Sequence, residues 1–250
     1  MQPDISLILP AYNEAGCIAG TIGEAVSYFQ SRRLSYEIIV AADGDDGTRE
    51  IVAELGRKDA AIQAIGEPVR RGKGRGIRLA VGIAAGSIIG FADADNKVPI
   101  EEYDKISPAF AEGFAIAIGS RALVRSQIER SQPWYRRIGG KGFGVFMRAA
   151  TGLRGISDTQ CGFKFFRHDV AKRLFTLQKI DGYMYDVEIL LLAQYLGYQV
   201  REVPVRWRDD GDSRLQLVRG NLRNLRDILR LRAQTRQTLR AATGQSAASS

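Results

Sequence analysis

The sequence is poor in the residues that most often carry metal, redox and proton-transfer chemistry. Its two cysteines, Cys17 and Cys161, are too few among 250 residues for a disulfide framework, and no Cys/His spacing indicates zinc. Its one histidine, His168, precedes a predicted helix, where we expect a solvated or capping role. The composition therefore argues against a disulfide-stabilised protein, a zinc protein and histidine-based catalysis.

Long hydrophobic runs and an amino-terminal signal are also missing. The most apolar stretch, residues 77–92, contains Arg78 and several glycines and is too short to cross a bilayer. The first residues, MQPDISLILPAYNE, lack the charged region and the small-residue cleavage site of a signal peptide. We therefore expect a cytoplasmic protein.

Positive charge is concentrated near the carboxyl end of the chain. Eight arginines and one aspartate between Arg214 and Arg240 give +7 of the total net charge of +8. Apolar residues at 215, 218, 222, 225 and 229 form one helical stripe among these arginines. Such a pattern is typical of a helix in a membrane interface, or of a helix packed on its own domain with a solvated basic face. Nucleic acid is not expected as a partner, because aromatic residues for base stacking are missing there.

Strand and helix patterns alternate through the first half of the chain. The strand patterns ISLILP, YEIIVAAD, AIQAIGE and SIIGFADAD are separated by helical patterns near residues 14–32, 48–58 and 74–85. This alternation predicts an α/β fold with a mostly parallel central sheet flanked by helices. We expect this domain over residues 1–213, a basic amphipathic helical segment over 214–240 and a disordered tail over 241–250.

Acidic and polar motifs follow three of these strands. PAYNE, DGDDGT and DAD each lie where a strand ends, and ligands of parallel sheets lie beyond the carboxyl ends of the strands. Asp93 and Asp95 are one residue apart, and two carboxylates this close repel each other unless a cation neutralises them. Mg²⁺ and Mn²⁺ prefer carboxylate oxygens together with substrate phosphates. We therefore predict a divalent metal site at Asp93 and Asp95, with an acidic turn as the alternative.

A basic loop precedes the third helix. Arg70, Arg71 and Lys73 lie around a GKG sequence at residues 72–74, which lacks the full pattern of a P-loop. Side chains at the start of a helix, with the free backbone N–H groups there, favour a phosphate. The loop is thus a predicted phosphate contact, with an exposed basic turn as an equal alternative.

The order of the motifs ILPAYNE, IVAADGDDGT, GKG and DADN resembles the inverting family 2 glycosyltransferases with the nucleotide-sugar-binding GT-A fold. The later motifs DTQCGFKFF, YDVEIL and EVPVRW resemble the dolichyl-phosphate glucosyltransferase branch, close to the polyprenyl-phosphate mannose synthases. The resemblance covers residues 4–217. It implies metal-dependent transfer of a hexose, glucose from UDP-glucose, to a polyprenyl or dolichyl monophosphate. Mannose from GDP-mannose and a soluble acceptor are the alternatives.

The resemblance also implies roles for particular residues. Asp93 and Asp95 would hold Mg²⁺ or Mn²⁺ on the diphosphate, with Asp95 counted among the catalytic residues. Arg121, Arg130 and Ser131 would hold the acceptor phosphate, and Arg214 would contact phosphate from a mobile loop. The predicted nucleotide-sugar contacts are Pro10, Ala11, Tyr12, Glu14, Asp43, Lys73, Asp93, Gln160, Asp186 and Glu188. The sequence departs from the family in reading AADGDDGT around Asp43, and in having Asn96 and Lys97 after the acidic pair.

A lipid-phosphate acceptor would remain in the membrane, so the enzyme must come to it. We expect the segment 214–240 to dock on an anionic surface, which makes the protein peripheral on the cytoplasmic membrane face. A nucleotidyltransferase, which would release pyrophosphate, also uses carboxylates and Mg²⁺. A basic nucleic-acid-binding protein would bind in a salt-dependent way without Asp93 and Asp95, and the acids clustered at strand ends argue against it.

Overall fold

The computed structural model of the chain describes residues 2–128 and 151–208, together with Leu231, Thr235, Gln237 and Thr238. The strands are β1 (Ile5–Tyr12), β2 (Tyr36–Asp43), β3 (Ile62–Ile65), β4 (Ile88–Ala92), β5 (Ile116–Ser120), β6 (Gln127–Ile128), β7 (Phe163–Arg167), β8 (Val200–Pro204) and β9 (Arg206–Trp207). The helices are α1 (Ile18–Ser31), α2 (Thr48–Lys58), α3 (Lys73–Ile83), α4 (Tyr103–Ile106), α5 (Pro108–Ala111), α6 (His168–Leu177) and α7 (Tyr185–Tyr195), with a 3₁₀ turn at Ile100–Glu102.

Seven of these strands form one twisted sheet in the order β3-β2-β1-β4-β7-β5-β8. β7 runs antiparallel to both of its neighbours, β4 and β5, while the other pairs are parallel. Strands β6 and β9 form a separate two-stranded parallel sheet. The predicted α/β class with a mostly parallel sheet is confirmed, and β7 is the exception.

The sheet is buried on both faces, as its long apolar strands require. One core contains Ile8, Phe91 and Phe166 and is covered by α3, α6 and α7. The core on the other face contains Leu9 and Phe165 and is covered by α1 and the segment 100–110. Leu231 is also buried in the first core, so this residue packs against the domain.

Some predicted boundaries differ from the observed ones. β4 stops at Ala92 instead of continuing through Asp95, because the chain turns there and Asn96 adopts a left-handed φ of 53°. The first helix starts at Ile18, since residues 14–17 form a turn closed by the Cys17 N–H and the Glu14 carbonyl. The predicted last strand is divided at Val205 into β8 and β9.

Several predictions fall outside the described residues. Arg130, Ser131 and Arg214 lie there, as do most of the segment 214–240 and the tail 241–250. In the part that the structure describes, none of the helices combines the length and the apolar character needed to cross a bilayer.

Candidate active site

The predicted site lies at the carboxyl edge of the sheet, where β1, β2, β4 and β5 end together. The register of β1 and β2 pairs Tyr12 with Asp43, so two of the polar motifs leave the sheet side by side. Asp93 follows β4, and its backbone N–H donates to the Gly162 carbonyl at 3.1 Å, just before β7. Motifs that are far apart in the sequence therefore lie together at the carboxyl edge of the sheet.

Side-chain hydrogen bonds connect the loops after β1 and β2. The Asp46 carboxylate accepts the Ala15 N–H at 2.9 Å and the Thr48 hydroxyl at 2.6 Å. The Thr48 hydroxyl oxygen in turn accepts the Glu14 N–H at 3.0 Å. The PAYNE loop, which holds the predicted contacts Pro10, Ala11, Tyr12 and Glu14, is thus fixed against the loop after β2.

Asp43 anchors the basic loop that follows β3. Its carboxylate accepts the Arg71 N–H at 2.7 Å and the Glu67 N–H at 3.3 Å. Arg71 itself forms a 2.9 Å ion pair with Glu67, which makes it a loop residue as well as a predicted phosphate contact. The predicted contact of Asp43 with the nucleotide remains a prediction.

Arg70 joins this basic loop to the segment before α7. Its guanidinium lies 4.3 Å from the centre of the Tyr12 ring and donates to the Tyr183 hydroxyl at 2.9 Å. Both tyrosines are exposed, so Tyr12, Arg70 and Tyr183 form a surface cluster at the end of β1, held in part by a cation–π contact.

The two glycines of the GKG sequence are explained by close packing. Gly72 has φ 118°, and a Cβ there would lie 2.4 Å from the Asp181 carbonyl oxygen. A Cβ on Gly74 would lie 2.6 Å from the Ile180 carbonyl oxygen. These glycines let the segment 180–182 approach the start of α3, which places Lys73 at the site.

Each of the paired carboxylates has a lysine partner. Lys73 Nζ lies 2.5 Å from Asp93 Oδ1, and Lys97 Nζ lies 2.8 Å from Asp95 Oδ2. Burial works against the charge of Lys73, but Asp93 and Asp186 outweigh burial and raise its pKa, so it stays a cation. The repulsion that suggested a bound cation is therefore balanced here by two ammonium groups.

The surroundings of Asp93 and Asp95 fit a hard divalent cation. Both side chains remain partly open, with exposures of 37% and 36%. Lys73 contacts only Oδ1 of Asp93, whereas the second oxygen of Asp95 accepts the Lys97 backbone N–H at a long 3.4 Å. A Cβ on Gly162 would lie 2.1 Å from Asp93 Oδ2, so the glycine leaves room for that oxygen. Among the described residues no cluster of three His, Cys, Asp or Glu could hold a metal. A cation here would use two carboxylates and substrate phosphates, as Mg²⁺ commonly does.

A buried ion pair lies behind Lys73. Lys164 of β7 and Asp186 of α7 meet at 2.7 Å with side chains only 1% and 5% exposed. Burial raises the pKa of Asp186, and the charges of Lys164 and Lys73 oppose that effect. Asp186 therefore faces the site from within the core.

Glu188 and Gln160 have different surroundings, although both are predicted sugar contacts. The Glu188 carboxylate accepts the N–H groups of Lys179 and Ile180 at 3.0 and 2.8 Å, which orders the segment before α7. The buried Nε2 of Gln160 finds no acceptor within the described part of the chain. Of these two residues, Gln160 is therefore the one whose side-chain N–H groups could donate to a ligand.

Arg121 is held at the end of β5 by Asp158. Two guanidinium N–H groups and the backbone N–H of Arg121 donate to the Asp158 carboxylate at 2.7–3.0 Å. Burial would raise the pKa of Asp158, but the bonds and charge of Arg121 outweigh it and lower the pKa to about 2. Asp158 takes two of the five N–H groups of the guanidinium, and within the described residues the other three are open to another acceptor.

The chain's cysteines and its histidine do not supply a nucleophile or a base at this edge. The His168 ring contacts the Gly86 carbonyl oxygen at 2.9 Å, at the opposite edge of the sheet, where β4 begins. Cys161 is buried, and burial raises the pKa of its thiol to about 12. The Cys17 thiol donates to the Glu14 carboxylate at 3.2 Å.

Sequence reasoning missed several residues that shape the site. Lys164 carries a signal that was available, a lysine inside the aromatic strand FKFF. Asp158 carries another, as the first residue of DTQCGFK. Lys97 carries a third, because it lies two residues after its partner Asp95. Tyr183 gives no such signal, because its partner Arg70 comes from a distant part of the chain.

The sheet and the helices that cover it form the GT-A fold of glycosyltransferases. Mannosyl-3-phosphoglycerate synthase from Rubrobacter xylanophilus has a similar structure, with a TM-score of 0.68 at 18% identity over 91% of this chain and 73% of that one. Glucosyl-3-phosphoglycerate synthase from Mycobacterium tuberculosis, solved with Mn²⁺ and UDP-glucose, aligns with a TM-score of 0.62 at 15% identity over 92% of this chain and 79% of that one.

Sequence comparison gives the family. Residues 6–175 match the family described as Glycosyl transferase family 2, and the chain belongs to it. It is 34% identical to a dolichyl-phosphate beta-glucosyltransferase of Trichomonas vaginalis, over 85% of this chain and 66% of the relative. It is 33% identical to that of Drosophila melanogaster, over 85% and 69%, and 30% identical to that of Homo sapiens, over 91% and 74%. The chain thus spans about two thirds to three quarters of these relatives.

Proposed function

We propose that the chain transfers glucose from UDP-glucose to the phosphate of a polyprenyl or dolichyl monophosphate, with inversion at the sugar carbon and release of UDP. The observation that carries this proposal is the Asp93–Lys73 pair at the carboxyl edge of the sheet, beside Asp95 and near Arg121. Relatives at 30–34% identity bear the name dolichyl-phosphate beta-glucosyltransferase, which supports both the sugar and the acceptor.

The donor would lie across the ends of β1, β2 and β4. Tyr12 and Asp43 border the place of the nucleoside, and Lys73 lies where the diphosphate must pass to reach Asp93. Asp93 and Asp95 would hold Mg²⁺ or Mn²⁺, which stabilises the leaving diphosphate when it is bound. Gln160 would donate its unused N–H to a sugar hydroxyl.

The acceptor phosphate would bind on the Arg121 side. Arg121 is positioned by Asp158 and keeps three N–H groups for phosphate oxygens, a geometry suited to bidentate binding. A phosphate monoester is already an anionic nucleophile, so no side-chain base is needed for attack on the sugar carbon. This agrees with the location of His168 at the opposite edge of the sheet. Arg130, Ser131 and Arg214 remain proposed partners of the same phosphate.

A transfer assay tests the proposal. Purified protein is incubated with a panel of radiolabelled nucleotide sugars, Mg²⁺ or Mn²⁺, and a short polyprenyl phosphate in detergent. We expect label in the organic phase with UDP-glucose, and loss of that label in Asp95→Ala or after chelation. Asp169→Ala is the matched control, because Asp169 is an exposed carboxylate at the start of α6, away from the site.

The pattern of label decides between the alternatives. Label from GDP-mannose alone would replace the proposed donor, and label confined to a water-soluble product would replace the proposed acceptor. Transfer that Asp95→Ala and chelation leave unchanged would overturn the metal site. No transfer from any donor by folded protein with accessible lipid would overturn the proposed activity.

A further inference from the structure

The charges around the acidic pair balance without any ligand. Three carboxylates, those of Asp93, Asp95 and Asp186, are paired with the ammonium groups of Lys73, Lys97 and Lys164 at 2.5–2.8 Å. The first two pairs are partly exposed, whereas the third is buried in the core. Because the charges of these six groups sum to zero, together they attract a divalent cation only weakly.

We propose that Lys73 and Lys97 are built-in counter-ions of the metal site, so that a divalent cation and the donor's diphosphate bind cooperatively and each binds weakly alone. This inference deepens the proposed function and rests on its metal site. It assigns Lys97 a role in controlling cation affinity, and Lys73 a second role besides its predicted contact with phosphate.

The geometry makes the lysines competitors of the cation. Each ammonium already lies at hydrogen-bonding distance from a carboxylate oxygen that a cation would approach. A cation arriving alone must either displace an ammonium group or bind beside it, and both cost free energy because like charges repel strongly in a partly buried site. The result is weak binding of the cation alone.

The diphosphate removes this penalty. Its negative charges compensate the two positive charges that the cation adds, and they accept hydrogen bonds from any ammonium that leaves a carboxylate. Lys73 is suited to that exchange, because it is the first residue of α3, where free N–H groups also favour an anion. Because coupling between two ligands is reciprocal, the cation must strengthen diphosphate binding by the same factor.

Binding of Mn²⁺ to the full chain, followed by the electron paramagnetic resonance signal of free Mn²⁺, tests this inference without sugar transfer. We expect weak binding of Mn²⁺ alone by the wild type and binding on the order of tenfold or more tighter in saturating UDP. Lys97→Met should tighten binding of Mn²⁺ alone on the order of tenfold and reduce the effect of UDP by a similar factor. Lys97→Arg keeps the charge and should restore the wild-type pattern.

Two further variants keep the test decisive. Lys73→Met should also tighten binding of Mn²⁺ alone. It replaces Lys97→Met in the test if circular dichroism shows that Lys97→Met does not fold. Lys105→Met is the matched control, because Lys105 pairs with Glu102 at 2.6 Å away from the site, and its Mn²⁺ binding should equal that of the wild type.

The outcomes separate this inference from the proposed function. Unchanged binding of Mn²⁺ alone in folded Lys97→Met or Lys73→Met, or equal wild-type binding with and without UDP, would overturn the counter-ion role. Failure of glucose transfer to the lipid, with the coupling intact, would instead overturn the proposed activity.

Discussion

Gly162 illustrates how a single residue without a side chain can determine the shape of the site. A Cβ at this position would lie 2.1 Å from Asp93 Oδ2 and 2.4 Å from Asp93 Cγ, closer than any real contact. Because the Gly162 carbonyl also accepts the Asp93 N–H, the glycine fixes the backbone of Asp93 while leaving space for its carboxylate. The conformation of the key acid thus depends on its neighbour across the β4–β7 pair.

We predict that Gly162→Ala displaces the Asp93 carboxylate and separates it from Lys73. Sugar transfer should fall on the order of a hundredfold, while the free energy of unfolding falls by only about 1–2 kcal/mol, the usual cost of overpacking. Steady-state kinetics and urea unfolding give the two quantities. Gly16→Ala is the control, since a Cβ on Gly16 meets no atom within 4 Å and should leave both unchanged. Normal turnover in Gly162→Ala would contradict the proposed place of Asp93.

At the scale of elements, the loop that contains Ser157 and Asp158 connects β8 to the end of β5 through hydrogen bonds. Arg121, on the proposed acceptor side of the site, lies at this junction. Glu202 of β8 accepts the N–H groups of Ser157 and Asp158, and Asp158 in turn holds Arg121 at the end of β5. Arg121 also lies 5.7 Å from the centre of the Trp207 ring in β9. The position of Arg121, the proposed ligand of the acceptor phosphate, therefore depends on β5, β8 and β9 together.

We predict that Asp158→Asn lowers the free energy of unfolding at neutral pH by roughly 2 kcal/mol, because it leaves Arg121 half-buried without its ion pair. The folded pKa of Asp158 is lowered from 3.8 to about 2, so its stabilisation is present above about pH 4 and is lost as the pH falls toward 2. Urea unfolding over this pH range should show the gap between wild type and variant narrowing below about pH 4.

A matched control uses an exposed ion pair. Asp104→Asn removes the surface pair with Arg32 and should change stability by less than about 1 kcal/mol. A gap for Asp158→Asn that stays constant from neutral pH to about pH 2 would contradict the ion pair as its cause.

The elements with strong periodicity were the ones that the sequence could predict. The helix 48–58 is observed with its predicted bounds, and the strands that precede PAYNE, DGDDGT and DAD are all present. β7 is different, because its central residues FKFF do not alternate between apolar and polar. Its antiparallel place between β4 and β5 depends on contacts from distant segments, such as Phe165 over Gly90 and Lys164 with Asp186.

The same distinction applies to the candidate site. Acids at the ends of parallel strands converge by topology alone, so Asp43, Asp93 and Asp95 could be placed at one edge from the sequence. The lysine partner of Asp93 could not, because Lys73 reaches Asp93 only through the packing of Gly72 and Gly74 against the segment 180–182. Local sequence cannot show which of several lysines will meet which carboxylate.

At the scale of the whole molecule, the proposed lipid acceptor requires the protein to reach a membrane surface. Most of the net positive charge comes from the segment 214–240, and Leu231 within it is buried in the core of the domain. Deleting the segment would therefore damage the core as well as remove the charge. Removing charge while keeping the length of the chain is the more informative change.

We predict that Arg219→Gln, Arg223→Gln and Arg226→Gln together weaken binding to vesicles with about a third anionic lipid. Each basic residue near such a surface contributes about 1 kcal/mol, so the triple variant should bind on the order of a hundredfold more weakly. Cosedimentation with anionic and with neutral vesicles gives the measurement. Arg33→Gln, Arg57→Gln and Lys58→Gln remove the same charge from the surface near α1 and α2, and should leave binding close to that of the wild type. Equal loss in both triple variants would mean that net charge, and not the segment 214–240, directs the protein to the membrane.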